Sequence, residues 1–137
     1  MGKYAGLKCE IIEAVDCLKG TGPDDVIQLT LDLCANILFQ SNKSINKIEA
    51  KTLLLKNIEN GKALEKFEEM IVAQGGDLND VYSKNNFAKY NIKIKSKETG
   101  YVKSINTEKI GWALVEMGCG KKVTNDTLDY SAGIKTN

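Results

Sequence analysis

The sequence predicts an α+β protein in which a helical first half is followed by a small mixed lobe. Between residues 7 and 76, apolar residues recur at the spacing of amphipathic helices in four segments with short connections. After residue 88 the period changes to two, because Tyr90, Ile92 and Ile94 alternate with polar residues, as in a half-buried strand. This change divides the chain into residues 1–76 and residues 89–137, with a polar linker at 77–88.

The first two helices are predicted from their end signals. The first runs from about Leu7 to Lys19 and ends at Gly20, and the second begins at Pro23 and extends to about Gln40. The two aspartates that follow Pro23 favour a helix start, because they lie at the positive end of the helix dipole. The stripe predicted to be buried on the second helix consists of Val26, Leu29, Thr30, Leu33, Cys34, Ile37 and Leu38.

Two further helices complete the first half. Ser44 or Asn46 marks the start of the third helix, and Asn60-Gly61 marks its end. The fourth helix fills the stretch from Gly61 to Gly76, GKALEKFEEMIVAQGG, and stops at its last two glycines. Its apolar positions lie on one face, which predicts a helix packed on a core.

The second half is predicted to contain a β-hairpin and a short helix. The first strand covers Tyr90 to Lys95, a turn follows at 97–100, and the second strand covers Tyr101 to Ile105. Asn106 or Thr107 then caps a helix that stops at the glycines of 118–120. A weaker last strand is predicted from Tyr130 to Lys135.

The composition excludes several kinds of chemistry. All 19 basic residues are lysine, so the chain has no imidazole base, no Ser-His or Cys-His nucleophile pair and no guanidinium group for a phosphate. The net charge of +1 is spread evenly, and we therefore expect no nucleic-acid partner and no membrane partner. Four cysteines without CxxC spacing, and no recognisable signal peptide, favour a reduced, cytoplasmic protein.

Three carboxylates on the first helix are a candidate cation site. Glu10, Glu13 and Asp16 are spaced so that their side chains lie near one another. Surface helices commonly carry such acids, so a solvated face is the alternative interpretation.

Two lysine-rich motifs have a functional and a structural interpretation. The stretch from Gly118 to Lys122, GCGKK, contains the glycines and lysines of a phosphate loop, but the glycines follow a helix, which favours a simple helix stop. Four lysines between residues 89 and 97 suggest a nucleic-acid surface or, more simply, the protection of an exposed sheet edge.

Several ordered motifs resemble the C-terminal portion of the thymidine and pyrimidine nucleoside phosphorylases. The stretch GKALEKF…AQGGD is similar to the wording of that family, and so are GLKCEIIEA at 6–14 and LKGTGPDD at 18–25. Farther on, GYV at 100–102, IG at 110–111, GCG at 118–120 and GI at 133–134 follow the family pattern. Cys9 stands where the family wording GNALEV has leucine, and Cys119 stands where LGAGR has alanine.

The resemblance implies a reaction whose main residues lie elsewhere. Members of the family cleave thymidine or uridine with phosphate, giving the base and a (deoxy)ribose 1-phosphate. They bind phosphate with a KHSTGG loop and the base with Arg, Ser and Lys side chains, all upstream of the region matched here. No catalytic or substrate-binding residue is therefore assigned to this chain, which is expected to be inactive alone and to require no cofactor.

The resemblance does imply a partial metal site. Bacterial members bind potassium with a glutamate that matches Glu13 and with backbone carbonyls that match Met1 and Tyr4. The other ligands come from the phosphate loop, so potassium belongs to the complete enzyme.

Two hypotheses of function follow from the resemblance. In the first, the chain is the scaffold portion of a pyrimidine nucleoside phosphorylase, and its partner is the N-terminal portion of the enzyme or a second copy of itself. Phosphate and the pyrimidine nucleoside then bind only in the complete enzyme. In the second, the chain is a non-catalytic protein-interaction module derived from the same fold.

Overall fold

A computed structural model describes residues 2–83 and 88–136 and confirms the α+β class and the helical first half. Within these ranges, five α-helices accompany a sheet of two short strands. In chain order the elements are β1 (Tyr4–Gly6), α1 (Lys8–Leu18), α2 (Asp24–Gln40), α3 (Lys47–Glu59), α4 (Lys62–Ala73), a 3₁₀ turn (Leu78–Tyr82), α5 (Thr107–Leu114) with a following π-helical turn (Val115–Cys119), and β2 (Gly133–Lys135).

The helix ends agree with their sequence signals. The side chain of Asn46 accepts a hydrogen bond from the Glu49 amide at 2.8 Å, and the Glu49 carboxylate accepts one from the Ile45 amide at 2.8 Å. This reciprocal pair of bonds satisfies two amides at the start of α3. At the start of α5 the side chain of Asn106 accepts a single hydrogen bond from the Lys109 amide at 2.9 Å, and Gly20, with φ of 76°, ends α1.

The two strands join opposite ends of the chain. β1 runs antiparallel to β2, with Ala5 opposite Ile134 and Gly6 opposite Gly133. The Thr136 amide extends the ladder by donating to the Lys3 carbonyl at 2.7 Å. The predicted last strand is therefore confirmed over Gly133–Lys135, and its partner is a three-residue strand that the sequence pattern did not predict.

The hairpin predicted at Tyr90–Lys95 and Tyr101–Ile105 is wrong, because neither segment forms a strand. Every described residue from 88 to 106 is exposed, and Ile94 keeps 94% of its surface in solvent. Alternation of apolar and polar residues favours a strand only where another strand pairs with it and a core covers its apolar face. Among the described residues, no strand pairs with this segment and no core packs against its apolar side chains.

The contact between α2 and α3 uses a different face of α2 from the one predicted. Leu31 and Ala35 of α2 and Ala50 of α3 are buried, and Lys51 forms a 2.7 Å ion pair with Asp32 across the helices. Leu29, Leu33 and Ile37, which were predicted to be buried, are each more than half exposed. Because α2 carries apolar residues around most of its circumference, the helical period does not determine which face packs.

The core is small for a chain of this length. In the described ranges the buried apolar residues are Val15, Leu31, Ala35, Ala50, Leu78 and Ala132. Many larger apolar side chains stay exposed on α2, on the segment 88–106 and on α5. None of the described helices combines the length and apolar character needed to cross a membrane.

The predicted domain division remains a prediction. Part of the predicted linker at 77–88 forms the 3₁₀ turn, whose Leu78 is buried, and residues 84–87 of that linker lie outside the described residues.

Candidate functional site

Glu13 is a buried carboxylate that α1 directs at the beginning of the chain. Its side chain is only 8% exposed, and its Oε1 accepts a 2.6 Å hydrogen bond from the Lys3 amide. A Cβ atom on Gly2 would overlap Oε2, so the carboxylate lies directly against the backbone that leads into β1. The helix and the first residues of the chain are thus joined at one charged group.

The second predicted ligand, Tyr4, lies one residue beyond this contact. Tyr4 stands opposite Lys135 in the ladder, and the bond from Thr136 to Lys3 places Tyr4 at a position that is not hydrogen-bonded to β2. Its carbonyl therefore points away from β2. The third predicted ligand, Met1, lies outside the described residues.

Glu13 and Tyr4 offer oxygen atoms of the type that the predicted potassium site requires. A carboxylate and a backbone carbonyl are the hard oxygen ligands that alkali and alkaline-earth cations prefer. Glu13 on α1 and Tyr4 on β1 come from adjoining elements, and their joint binding of potassium stays a prediction. One carboxylate and one carbonyl are too few to hold a monovalent ion without further oxygens.

The separate hypothesis of a three-carboxylate cation site on α1 is not supported. Glu10 accepts a 2.7 Å hydrogen bond from the Gly6 amide, while Glu13 accepts its bond from Lys3. The two carboxylates thus bind different parts of the backbone. Among the residues that the structure describes, no group of three or more His, Cys, Asp or Glu is arranged to hold a metal ion.

An apolar cavity of about 680 Å³ lies beside Glu13's helix and was not predicted. Its walls come from four separate parts of the chain, so no local sequence pattern predicts it. Lys8, which lines it, is 8% exposed and donates to the Ser83 carbonyl at 3.3 Å. The other residues that line the cavity are Gly6, Leu7, Glu10, Ile11, Ala14, Phe67, Asp80, Val81 and Tyr130.

The GCGKK segment is a helix end. Gly118 adopts φ of 97°, which ends the π-helical turn, and its carbonyl accepts a 2.9 Å hydrogen bond from Asp129. Lys122 pairs with Glu116 at 2.5 Å, and Lys121 donates to the Thr124 carbonyl at 3.3 Å. Both ammonium groups therefore bind protein oxygens nearby, and the structure supports the helix-stop interpretation over the phosphate loop.

Replacing Glu13 tests its structural contact. Glu13→Ala removes a buried carboxylate and leaves the Lys3 amide without its acceptor in a partly buried site, and we expect a loss of about 1–3 kcal/mol in the free energy of unfolding. Glu13→Gln keeps an acceptor oxygen and should lose less. Urea unfolding followed by circular dichroism measures both. Glu68→Ala, on the exposed face of α4, is the control, and an equal loss in Glu13→Ala and Glu68→Ala would contradict the buried contact.

Comparison with known proteins agrees with the motifs. Residues 101–137 match the family model of the pyrimidine nucleoside phosphorylase C-terminal domain. The whole chain is 37% identical, over 139 aligned positions, to the pyrimidine-nucleoside phosphorylases of Staphylococcus aureus strains bovine RF122 / ET3-1 and USA300. It spans 32% of the length of each of these relatives. Along its entire length the chain is therefore similar to part of these pyrimidine-nucleoside phosphorylases, and its residues 101–137 match the C-terminal domain of such enzymes.

Proposed function

We propose that this chain is the scaffold portion of a cytoplasmic pyrimidine nucleoside phosphorylase and is inactive alone. The main support is that the whole chain is 37% identical to about a third of the length of such an enzyme. The chain contains no KHSTGG sequence and no arginine. Phosphate and a pyrimidine nucleoside then bind only where the N-terminal portion completes the site. In this assignment residues 1–76 are part of the α/β domain, and residues 89–137 are part of the C-terminal lobe.

The distribution of apolar surface supports a role in assembly. The core is small, and the apolar stripe of Leu29, Leu33 and Ile37 on α2 is exposed to solvent. The apolar cavity beside α1 is likewise open. Contiguous apolar surface of this kind is typical of a chain that packs against another polypeptide. The N-terminal portion of the enzyme is the proposed partner.

Potassium is proposed as a ligand of the complete enzyme. Glu13 would supply the carboxylate, and Tyr4 and Met1 would supply backbone carbonyls. When bound, a monovalent cation would add positive charge to the site, and the phosphate loop of the complete enzyme would supply the further ligands. The contact between Glu13 and the Lys3 amide positions the carboxylate beside β1 before any ion binds.

Complementation tests the proposal. The purified chain is mixed with a separately produced N-terminal portion of a homologous phosphorylase, and release of thymine from thymidine is measured with and without phosphate. We expect no release above background from either part alone and phosphate-dependent release from the mixture. A mixture that associates tightly but releases no base would show that complementation is wrong.

The second candidate function is a non-catalytic interaction module. The observation that favours it is the same exposed stripe on α2, which suits binding to an intact phosphorylase or to a second copy of the chain. Light scattering of the chain, alone and with a full-length phosphorylase, distinguishes the cases. A strict monomer that does not bind the full-length enzyme would argue against this candidate.

A further inference from the structure

Cys9 lies on α1 where that helix crosses the two-stranded sheet. A Cβ atom on Gly133 would lie 2.7 Å from its Sγ, and a Cβ atom on Gly6 would lie 2.9 Å from it. The sulfur thus rests on the facing glycines of β1 and β2, where no larger residue would fit. This contact joins α1 to the last strand of the chain.

Cys119 is held close to the same strand by backbone contacts. The carbonyl of Gly118, its neighbour, accepts a 2.9 Å hydrogen bond from Asp129. The Asp129 carbonyl in turn accepts a 3.2 Å bond from Ala132, the residue before Gly133. Two hydrogen bonds therefore lead from Cys119 to the backbone on which the Cys9 sulfur rests.

The electrostatic environment of the two thiols agrees with this placement of Cys9 and Cys119 near the same strand. Burial raises the pKa of the Cys119 thiol, and among charged neighbours the largest further effect comes from Cys9, ahead of Asp129 and Glu10. Burial likewise raises the pKa of the Cys9 thiol, with the Glu10 and Glu13 carboxylates adding to it. Both side chains are half-buried, so a small oxidant can reach them.

Cys9 and Cys119 lie 110 positions apart in the chain, yet the contacts described above lead from both of them to the same strand, β2. Of the other two cysteines, Cys17 lies near the C-terminal end of α1, two turns beyond Cys9 and beside Gly22, and Cys34 lies on α2.

We propose that Cys9 and Cys119 form a reversible disulfide that ties α1 to the π-helical turn after α5 when the chain meets a low-molecular-weight disulfide such as oxidised glutathione. This inference does not depend on the proposed enzyme function. The thiolate of one cysteine attacks a glutathione sulfur, which breaks the glutathione S–S bond and releases one glutathione thiol. The second cysteine thiolate then attacks the protein sulfur of the mixed disulfide and displaces the second glutathione.

The atoms and electrons of this exchange balance. One protein S–S bond replaces one glutathione S–S bond, the two cysteines are oxidised and one oxidised glutathione is reduced. The two thiol protons end on the two glutathione thiols. Because both protein thiols are mostly protonated at neutral pH, the exchange is expected to be slow.

The bond should stabilise the fold measurably. It closes a loop that spans most of the chain, which removes conformations from the unfolded state. We expect the oxidised chain to unfold at a temperature at least about 5 °C higher than the reduced chain. Addition of a reducing thiol should reverse the shift.

Peptide mapping tests the pairing. The folded chain is incubated with oxidised glutathione, alkylated and digested without reduction, and the same oxidation is repeated in urea. We expect a linked Cys9–Cys119 peptide that is at least about fivefold more abundant after oxidation of the folded chain, and an intact mass lower by about 2 Da. Cys34→Ser should keep both the link and the thermal shift, whereas Cys119→Ser should lose both.

Two results would overturn the proposal. One is a yield of the linked peptide no higher in the folded chain than in urea, and the other is predominant pairing through Cys17 or Cys34. The variant Cys9→Ser also tests the link. If circular dichroism shows that this serine variant is unfolded, Cys9→Ala is used in its place. The map of the unmodified sequence decides the question without any variant.

Discussion

Gly22→Ala is expected to reduce the free energy of unfolding by about 3 kcal/mol, because no side chain fits where the chain turns back on the end of α1. A Cβ atom at this position would lie 2.8 Å from both N and Cα of Cys17 and would overlap its sulfur. The amides of Thr21 and Gly22 both donate to the Asp16 carbonyl, at 2.9 and 3.0 Å. These bonds hold Gly22 against the helix backbone, so rotation of a side chain does not relieve the clash.

The measurement is a urea unfolding curve followed by circular dichroism under reducing conditions. Gly100→Ala is the matched control, since nothing lies within 4 Å of the position of its Cβ, and it should change stability by less than about 0.5 kcal/mol. Adding Cys17→Ala to Gly22→Ala removes the sulfur overlap but leaves the backbone clash, so most of the loss should persist. Equal stability of Gly22→Ala and Gly100→Ala would contradict this turn geometry.

Helix ends were predictable because their determinants are local. Asn46 and Asn106 accept hydrogen bonds from amides three residues ahead, and Gly20 adopts the positive φ that ends α1. These interactions span a few residues of sequence, so the residue types alone specify them. The same reasoning located all four helices of the first half within a few residues of their observed ends.

The packed faces were less predictable because they depend on the neighbouring element. On α2 the helical period favoured Leu29, Leu33 and Ile37, but the contact with α3 uses Leu31 and Ala35. The small side chains of Ala35 and Ala50 lie at this contact, where they allow two helices to approach closely. An apolar helix offers several faces of similar hydrophobicity, and only the partner selects one.

Long-range pairing was outside the reach of any local pattern. β1 and β2 have three residues each, too few to show a period of two, and Gly6 pairs with Gly133 at the other end of the chain. Conversely, the clear alternation at Tyr90–Lys95 has no strand to pair with among the described residues. A β-strand forms only where a second segment pairs with it, so the propensity of one segment predicts only a possible strand.

The candidate site also has a part that the sequence predicted and a part that only the fold revealed. Glu13 was selected by resemblance, and its burial against the Lys3 amide emerged only from the fold. The apolar cavity combines α1, α4, the 3₁₀ turn and Tyr130, so no single segment indicated it. Buried Lys8 was also missed, because a lysine at the start of a helix is normally exposed to solvent.

Gly133→Ala is expected to cost about 1–3 kcal/mol of unfolding free energy, because its Cβ would enter the contact between α1 and the sheet. That atom would lie 2.7 Å from Sγ of Cys9 and 3.2 Å from the Ala5 carbonyl oxygen. The sulfur is the closer obstacle, and Cys9→Ala removes it. In reducing buffer, the cost of Gly133→Ala should therefore fall by about 1 kcal/mol in a Cys9→Ala background, as a double-mutant cycle measures.

Gly111→Ala is the control for Gly133→Ala, because we expect it to change the free energy of unfolding in the opposite direction. Gly111 lies inside α5 with nothing within 4 Å of the position of its Cβ, so alanine should stabilise the helix by up to about 1 kcal/mol. If Gly133→Ala costs the same with and without the Cys9 sulfur, the Ala5 carbonyl limits the site instead. If Gly133→Ala stabilises the chain as Gly111→Ala does, α1 does not pack on the paired glycines, and the junction that brings Cys9 towards Cys119 is wrong.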